Sequence, residues 1–239
     1  MKIGLMVNGL QIDAYYSDHE IQNVHQPLLQ QIAKRHASTP HLRTIIFLSA
    51  PPGTGKSTLT TFWETLSRQD PDLPEIQTLP MDGFHHYNAW LDVHNLRPYK
   101  GAPETFDVDK LAANLRQIRD GDGDWPQYSR QKHDPVEAAI RVTAPVVIVE
   151  GNWLLLDDDK WRELGEFCDF SLFITAPALA LRERLVQRKR AGGLSQDDAE
   201  AFYLRTDGPN VERVLCHSRP ADLTLQMTAE GEYVFAGVE

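Results

Sequence analysis

One run in the chain has the residue types and spacing of phosphate chemistry: Ala50-Pro51-Pro52-Gly53-Thr54-Gly55-Lys56-Ser57-Thr58. The pattern GxxxxGK[ST] turns backbone N–H groups at a helix N-terminus onto a β-phosphate. Its lysine reaches the β/γ oxygens and its hydroxyl takes Mg²⁺. Pro52, Gly53, Thr54, Gly55, Lys56, Ser57 and Thr58 are therefore the candidate nucleotide contacts. The first glycine of the pattern is Ala50 here, which fits only if its backbone φ is negative. A chance glycine-rich turn between a strand and a helix is the bland alternative.

Two carboxylates fall where such a loop needs them. Glu150 closes the apolar run Val146–Val149, and Asp82 follows the run Ile76–Leu79. Parallel sheets bind ligands at the carboxyl ends of their strands, so both acids belong to that edge. Glu150 is assigned to Mg²⁺, with a helix cap as its plain alternative. Asp82 is assigned to the proton of an attacking hydroxyl, or to the metal, against an ordinary Asp-Gly turn. A third group is basic: Leu181–Arg190 contains Arg182, Arg184, Arg188, Lys189 and Arg190. Arg184 and Arg188 are four apart and share a helical face, able to meet the charge that spreads over a transferring phosphoryl group. Gly192-Gly193 gives that segment a hinge, so a lid over 178–206 is expected; a solvated basic face is the alternative.

The elements that must position these groups alternate in type. Thr44–Leu48, Ile76–Leu79, Pro145–Val149, Phe170–Ile174, Leu223–Met227 and Tyr233–Val238 read as strands. Helices are expected over Ile21–His36, Lys56–Arg68, Asp107–Arg119 with Asp107 as N-cap, and Ala178–Arg190. Ser195 with Asp198 resembles a capping box opening a further helix. Ile3–Val7 and Leu10–Tyr15 around Asn8-Gly9 form a hairpin signal. Alternating buried strands and helices predict an α/β fold with a mostly parallel, doubly wound sheet of about five strands and helices on both faces. No repeat or linker divides residues 1–239, so one domain is expected, with the hairpin and a helix occupying 1–40.

Composition agrees with a globular enzyme: 41% hydrophobic and 24% charged residues, with a formal net charge of −10. That charge argues against nucleic acid or an anionic membrane as partner. Two cysteines without metal-ligand spacing argue against a disulfide framework or a zinc site, and the absence of a leader or a long apolar run predicts a cytoplasmic, soluble chain. The terminal β segments leave a homodimer open.

Asp82-Gly83-Phe84, then Arg97 through Lys100-Gly101-Ala102-Pro103-Glu104-Thr105-Phe106-Asp107, then Pro126-Gln127-Tyr128-Ser129, then Val149-Glu150-Gly151 occur in a telling order. In that order the chain resembles the phosphoribulokinase/uridine kinase/pantothenate kinase family along essentially its whole length. It is similar in particular to uncharacterised bacterial members provisionally labelled fructose-transport-system kinases. The resemblance implies a P-loop NTPase fold, ATP and Mg²⁺ as cofactors, and phosphoryl transfer to a small hydroxyl compound: a nucleoside, a pantothenate-like alcohol or a sugar. It implies Asp82 as base or Mg²⁺-linked acid beside Ser57 and Glu150. It also implies Lys56 on the phosphates, and Arg219 beside the adenine. Phe84, His85, Arg97, Tyr128, Arg130 and His133 fall around the acceptor, with His86, Tyr87 and Trp90 extending an aromatic wall. Two rivals stay open: a nucleotide-driven switch that has no acceptor, and a kinase whose acceptor is itself a phosphate.

Overall fold

The structure, a computed structural model, describes residues 1–237. Its centre is a six-stranded sheet built from β3 (Thr44–Ser49), β4 (Ile76–Pro80), β7 (Val146–Gly151), β8 (Phe170–Thr175), β9 (Leu223–Met227) and β10 (Tyr233–Phe235). The order is β10-β9-β8-β3-β7-β4, parallel throughout except for the antiparallel β10 at one edge. Successive residues of β3 face opposite ways, as a strand's period of two requires. Ile46 and Leu48 enter one core, with Leu59, Phe62 and Trp63 of α2 (Lys56–Gln69) and Leu28 and Ile32 of α1 (Gln26–Ser38). Ile45 and Phe47 enter the other, with Leu111, Leu115 and Ile118 of α3 (Val108–Arg119). The doubly wound α/β arrangement thus follows from strands that are apolar on both faces.

Several expectations are corrected. The sheet has six strands rather than about five. The hairpin of β1 (Lys2–Val7) and β2 (Leu10–Tyr15) forms as its Asn-Gly turn predicts, with Asn8 and Gly9 at φ 50° and 79°, but it stands apart from the central sheet. The last strand is shorter, Tyr233–Phe235; Val238, the end expected for it, lies outside the described residues. A second hairpin, β5 (Gly123–Ser129) and β6 (Asp134–Val142), was not expected at all; it carries Tyr128 and Arg130.

The helix α4 (Ala178–Ala191) ends at Gly192, as its composition predicts. Its first half is no detached lid: Leu181 and Leu185 are fully buried in the core beside the phosphate loop. Among the described residues no helix is long and apolar enough to cross a membrane.

Candidate active site

β3 delivers the chain into the loop 50–57, and α2 leaves it at Lys56. Gly53 and Gly55 hold φ values of 90° and 83°, which side-chain-bearing residues adopt only under strain. Ala50 is not among the residues with positive φ, and its N–H donates to the Gly151 carbonyl at 3.2 Å. Alanine therefore fits the first position of the pattern. Ser57 Oγ donates to Glu150 Oε1 at 2.8 Å, and Lys56 Nζ donates to Asn152 Oδ1 at 2.7 Å.

Glu150 sits at the register position of Leu48 on one side and Pro80 on the other. It therefore lies between the strand that feeds the phosphate loop and the strand that feeds Asp82. Glu150 is 4% exposed, and burial pushes its carboxyl above the ordinary carboxylate range, with the Lys56 ammonium pulling back. Burial lowers Lys56 in turn, opposed by the charges of Glu150 and Asp82. Burial moves each group toward its neutral form, and the opposite charge of the other works against that shift.

Asp82 lies just past β4, in the single turn Met81–Phe84, and its side chain is exposed. Gly83 is required by a close approach: a Cβ there would stand 2.1 Å from the Pro126 carbonyl oxygen. That contact presses the Asp82 turn onto β5, bringing Tyr128 beside it. His85 packs its ring on Phe106 at 3.9 Å and lies 5.2 Å from Tyr128. Its Nδ1 is 2.8 Å from the Asp82 carbonyl oxygen, which can only accept, so Nδ1 carries the proton and Nε2 is left an acceptor. Burial lowers the imidazole below its ordinary range. The Lys100–Asp107 segment braces the same turn from behind: His86 N–H reaches Thr105 O at 2.9 Å, and Asp107 N–H reaches Phe84 O at 2.8 Å.

The structure disperses some of the expected acceptor contacts. Phe84 is 1% exposed and stacks edge-on with Trp125, so it is core and not part of a wall over the acceptor. Trp90 is stacked between His86 and His94, each at 3.7 Å, and Tyr87 donates to Glu137. Arg97 pairs with Asp92 at 3.1 Å. His133 occupies the β5–β6 turn at φ 54°, and it is its carbonyl that is used, accepting from Lys100 Nζ at 2.7 Å and from Asn88 Nδ2 at 2.8 Å. Arg219 does not border the phosphate cleft; its guanidinium lies against Gly165 and its N–H donates to Leu155 O.

Arg130, Arg184 and Arg188 do meet at the loop. They line one cleft of about 710 Å³ with Gly53, Lys56 and Ser57. Arg182 is turned away, paired with Glu200. Two residues escaped sequence reasoning. Asn152 follows Glu150-Gly151 by one position, which was the available signal. Lys100 lies in a quoted motif, 4.8 Å above the Tyr128 ring, with its ammonium lowered by burial.

A strand-turn-helix phosphate cradle with acids at the neighbouring strand ends defines a P-loop fold. No protein-family model matches the chain. It is 69% identical over 235 residues to the uncharacterized protein YggC of Escherichia coli strain K12, covering 98% of this chain and 99% of that one. It is 30% identical over 235 residues to a pantothenate kinase of Bacillus velezensis, covering 86% of this chain and 73% of that one. A provisionally assigned fructose transport system kinase from Silicibacter sp. TM1040 superposes with TM-score 0.79 at 34% identity, covering 84% of this chain and 98% of that one. The chain belongs to the P-loop kinases of the phosphoribulokinase, uridine kinase and pantothenate kinase family.

Proposed function

We propose that the protein is an ATP-dependent kinase that transfers the γ-phosphoryl group to a hydroxyl of a small molecule, of nucleoside, pantothenate-like or sugar type. The observation that carries this reading is the pairing at the strand ends. Glu150 and Ser57 are joined beside the phosphate loop, and the exposed Asp82, just past the neighbouring strand, is close enough to Lys56 and to Tyr128 for its charge to act on both. A nucleotide switch needs the first group and has no use for the second.

Asp82 accepts the proton as the acceptor oxygen attacks the γ-phosphorus in line; the bond to the β,γ-bridging oxygen breaks and ADP leaves. Lys56, Arg184 and Arg188 face the oxygens on which negative charge spreads, an arrangement that stabilises the transition state more than the ground state. Tyr128 and Arg130 orient the acceptor. Among the described residues no group of three or more His, Cys, Asp or Glu forms a metal cage. Mg²⁺ fits nonetheless, because it is ordinarily held by one or two carboxylates together with the nucleotide's own phosphates. Ser57 and Glu150 would hold it, with Asp82 as a ligand only if it is not the base, and when bound it would supply charge neutralisation at the nucleotide's phosphates.

ADP release is to be measured with Mg-ATP across nucleosides, pantothenate, hexoses and their monophosphates, for wild type and Asp82→Asn. One acceptor should stimulate release, and the variant should cut that stimulated rate by ~10²-fold with nucleotide binding nearly intact. Slow release that no acceptor raises and the variant leaves unchanged would favour a switch.

A further inference from the structure

The cleft over the phosphate loop has a wall that phosphate binding does not explain. Val7, Leu10 and Ile12 of the N-terminal hairpin line it together with Gln187 and Ala191 of α4 and the cationic group. On the hairpin these three side chains share one face, because Val7 pairs with Leu10 and Leu5 pairs with Ile12 across the register. The rooted end of that face is buried: Leu5 and Val7 belong to the core, and Ile12 packs against it. The tip is not. Leu10 remains 46% exposed.

The hairpin is held rigidly enough to serve as a wall. Tyr16, at its exit, stacks on Phe62 of α2 with ring centroids 3.9 Å apart. Asn8 and Leu10 also line the adjoining cavity with Tyr128 and Arg130, so the tip borders both the phosphate cleft and the β5–β6 arm.

We infer that Leu10, with Ile12 behind it, forms one side of the slot for the nucleoside end of the nucleotide. The base and ribose would lie between the hairpin tip and the exposed Gln187 and Ala191 of α4. The inference rests on the kinase reading for its triphosphate. Its own content is the chemistry of the cleft: cations and backbone N–H groups suit the phosphates, while an overhanging leucine suits only the apolar body of a base and sugar.

The test compares two ligands that share phosphates and differ in the nucleoside: Mg-ATP and inorganic Mg-tripolyphosphate, titrated into the full chain. Leu10→Ala should raise the Kd for Mg-ATP about tenfold, the scale of an apolar side chain lost from a contact, and leave tripolyphosphate within about twofold. Equal weakening of both, or no change in either, would overturn the inference while leaving the phosphate cradle standing. Failure of wild type to bind Mg-ATP would remove the inference and the kinase reading together. A second readout does not depend on tripolyphosphate affinity. Leu10→Cys in a Cys216→Ser background should lose maleimide reactivity about tenfold under saturating Mg-ADP. Unchanged reactivity with Mg-ADP bound, shown by calorimetry on the same variant, counts against the slot.

Discussion

At the scale of the residue, one half-buried imidazole beside the Asp82 turn is fixed in a single tautomer when neutral. His85 donates from Nδ1 to the Asp82 carbonyl, and burial lowers its ring below the ordinary value of 6.5. A group whose folded pKa is depressed takes up protons more readily in the unfolded chain. Between the lowered value and 6.5 the unfolded state therefore binds more protons, and stability rises with pH through that window. Stability is lost as pH falls below about 6.5, the ordinary imidazole range. His85→Gln removes that contribution and no other titrating group. Melting temperatures at pH 5 and pH 7.5 should therefore fall less on acidification in the variant than in wild type. Parallel falls would mean that the buried ring carries no penalty on protonation. Lys56 and Glu150 show the converse arrangement: each is shifted by burial toward its neutral form, and each opposes the other's shift.

At the scale of the element, the site is made by pressing turns together, and Gly83 shows how tightly. A methyl group there would meet the Pro126 carbonyl oxygen at 2.1 Å, its carbon at 2.4 Å and the Gln127 nitrogen at 2.9 Å, all backbone atoms without rotamer freedom. Gly83→Ala must therefore displace β5 from the Asp82 turn. Overpacking of this kind costs about 1–3 kcal/mol, or roughly 2–4 °C of Tm per kcal/mol in a chain of this size. Calorimetric melting should register that loss, and acceptor-stimulated transfer should fall further than nucleotide binding, because Tyr128 and Arg130 move with β5. A variant with wild-type Tm would show that the arm yields without effort.

The same contact explains what could be read from sequence. Asp82 and Glu150 were legible because they end apolar runs, and the strand-end rule gives their edge without any tertiary knowledge. The Asn8-Gly9 hairpin was legible because its turn demands positive φ. The β5–β6 hairpin was not: Pro126 and Pro135 interrupt its strands, the pairing slips between Trp125 and Gln127, and its turn runs through charged residues. Motif resemblance placed Tyr128 and His133 near an acceptor, yet the backbone turn hands the role at His133 to its carbonyl. Leu10 carried no local signal, because its place beside the cleft arises only from what folds against it.

At the scale of the whole molecule, both ends of the chain converge on the phosphate loop through buried polar groups. Trp63 Nε1 donates to His25 Nδ1 at 3.1 Å, so the His25 proton resides on Nε2, which lies 3.2 Å from Glu20 Oε1. Glu20 Oε1 also accepts from the Tyr233 backbone N–H at 3.0 Å, joining the N-terminal helical segment to the edge strand β10. Tyr233 is 5% exposed, and its hydroxyl donates to the carbonyl oxygen of Thr54, inside the loop itself. Burial raises the phenol well above its ordinary range, so the hydroxyl stays a donor at any working pH. A loop whose N–H groups must all point at one phosphate cannot have its peptides free to flip, and the Tyr233 contact fixes one of them. Tyr233→Phe keeps the ring and leaves the Thr54 carbonyl buried without its partner, at a cost of about 1–3 kcal/mol. Tm should fall by several degrees, and the Kd for Mg-ATP should rise severalfold, measured by calorimetric titration below the melting range. A lowered Tm with unchanged affinity would show that the two ends brace the core alone. Both effects together would show that the terminal segments hold the phosphate loop in its binding shape.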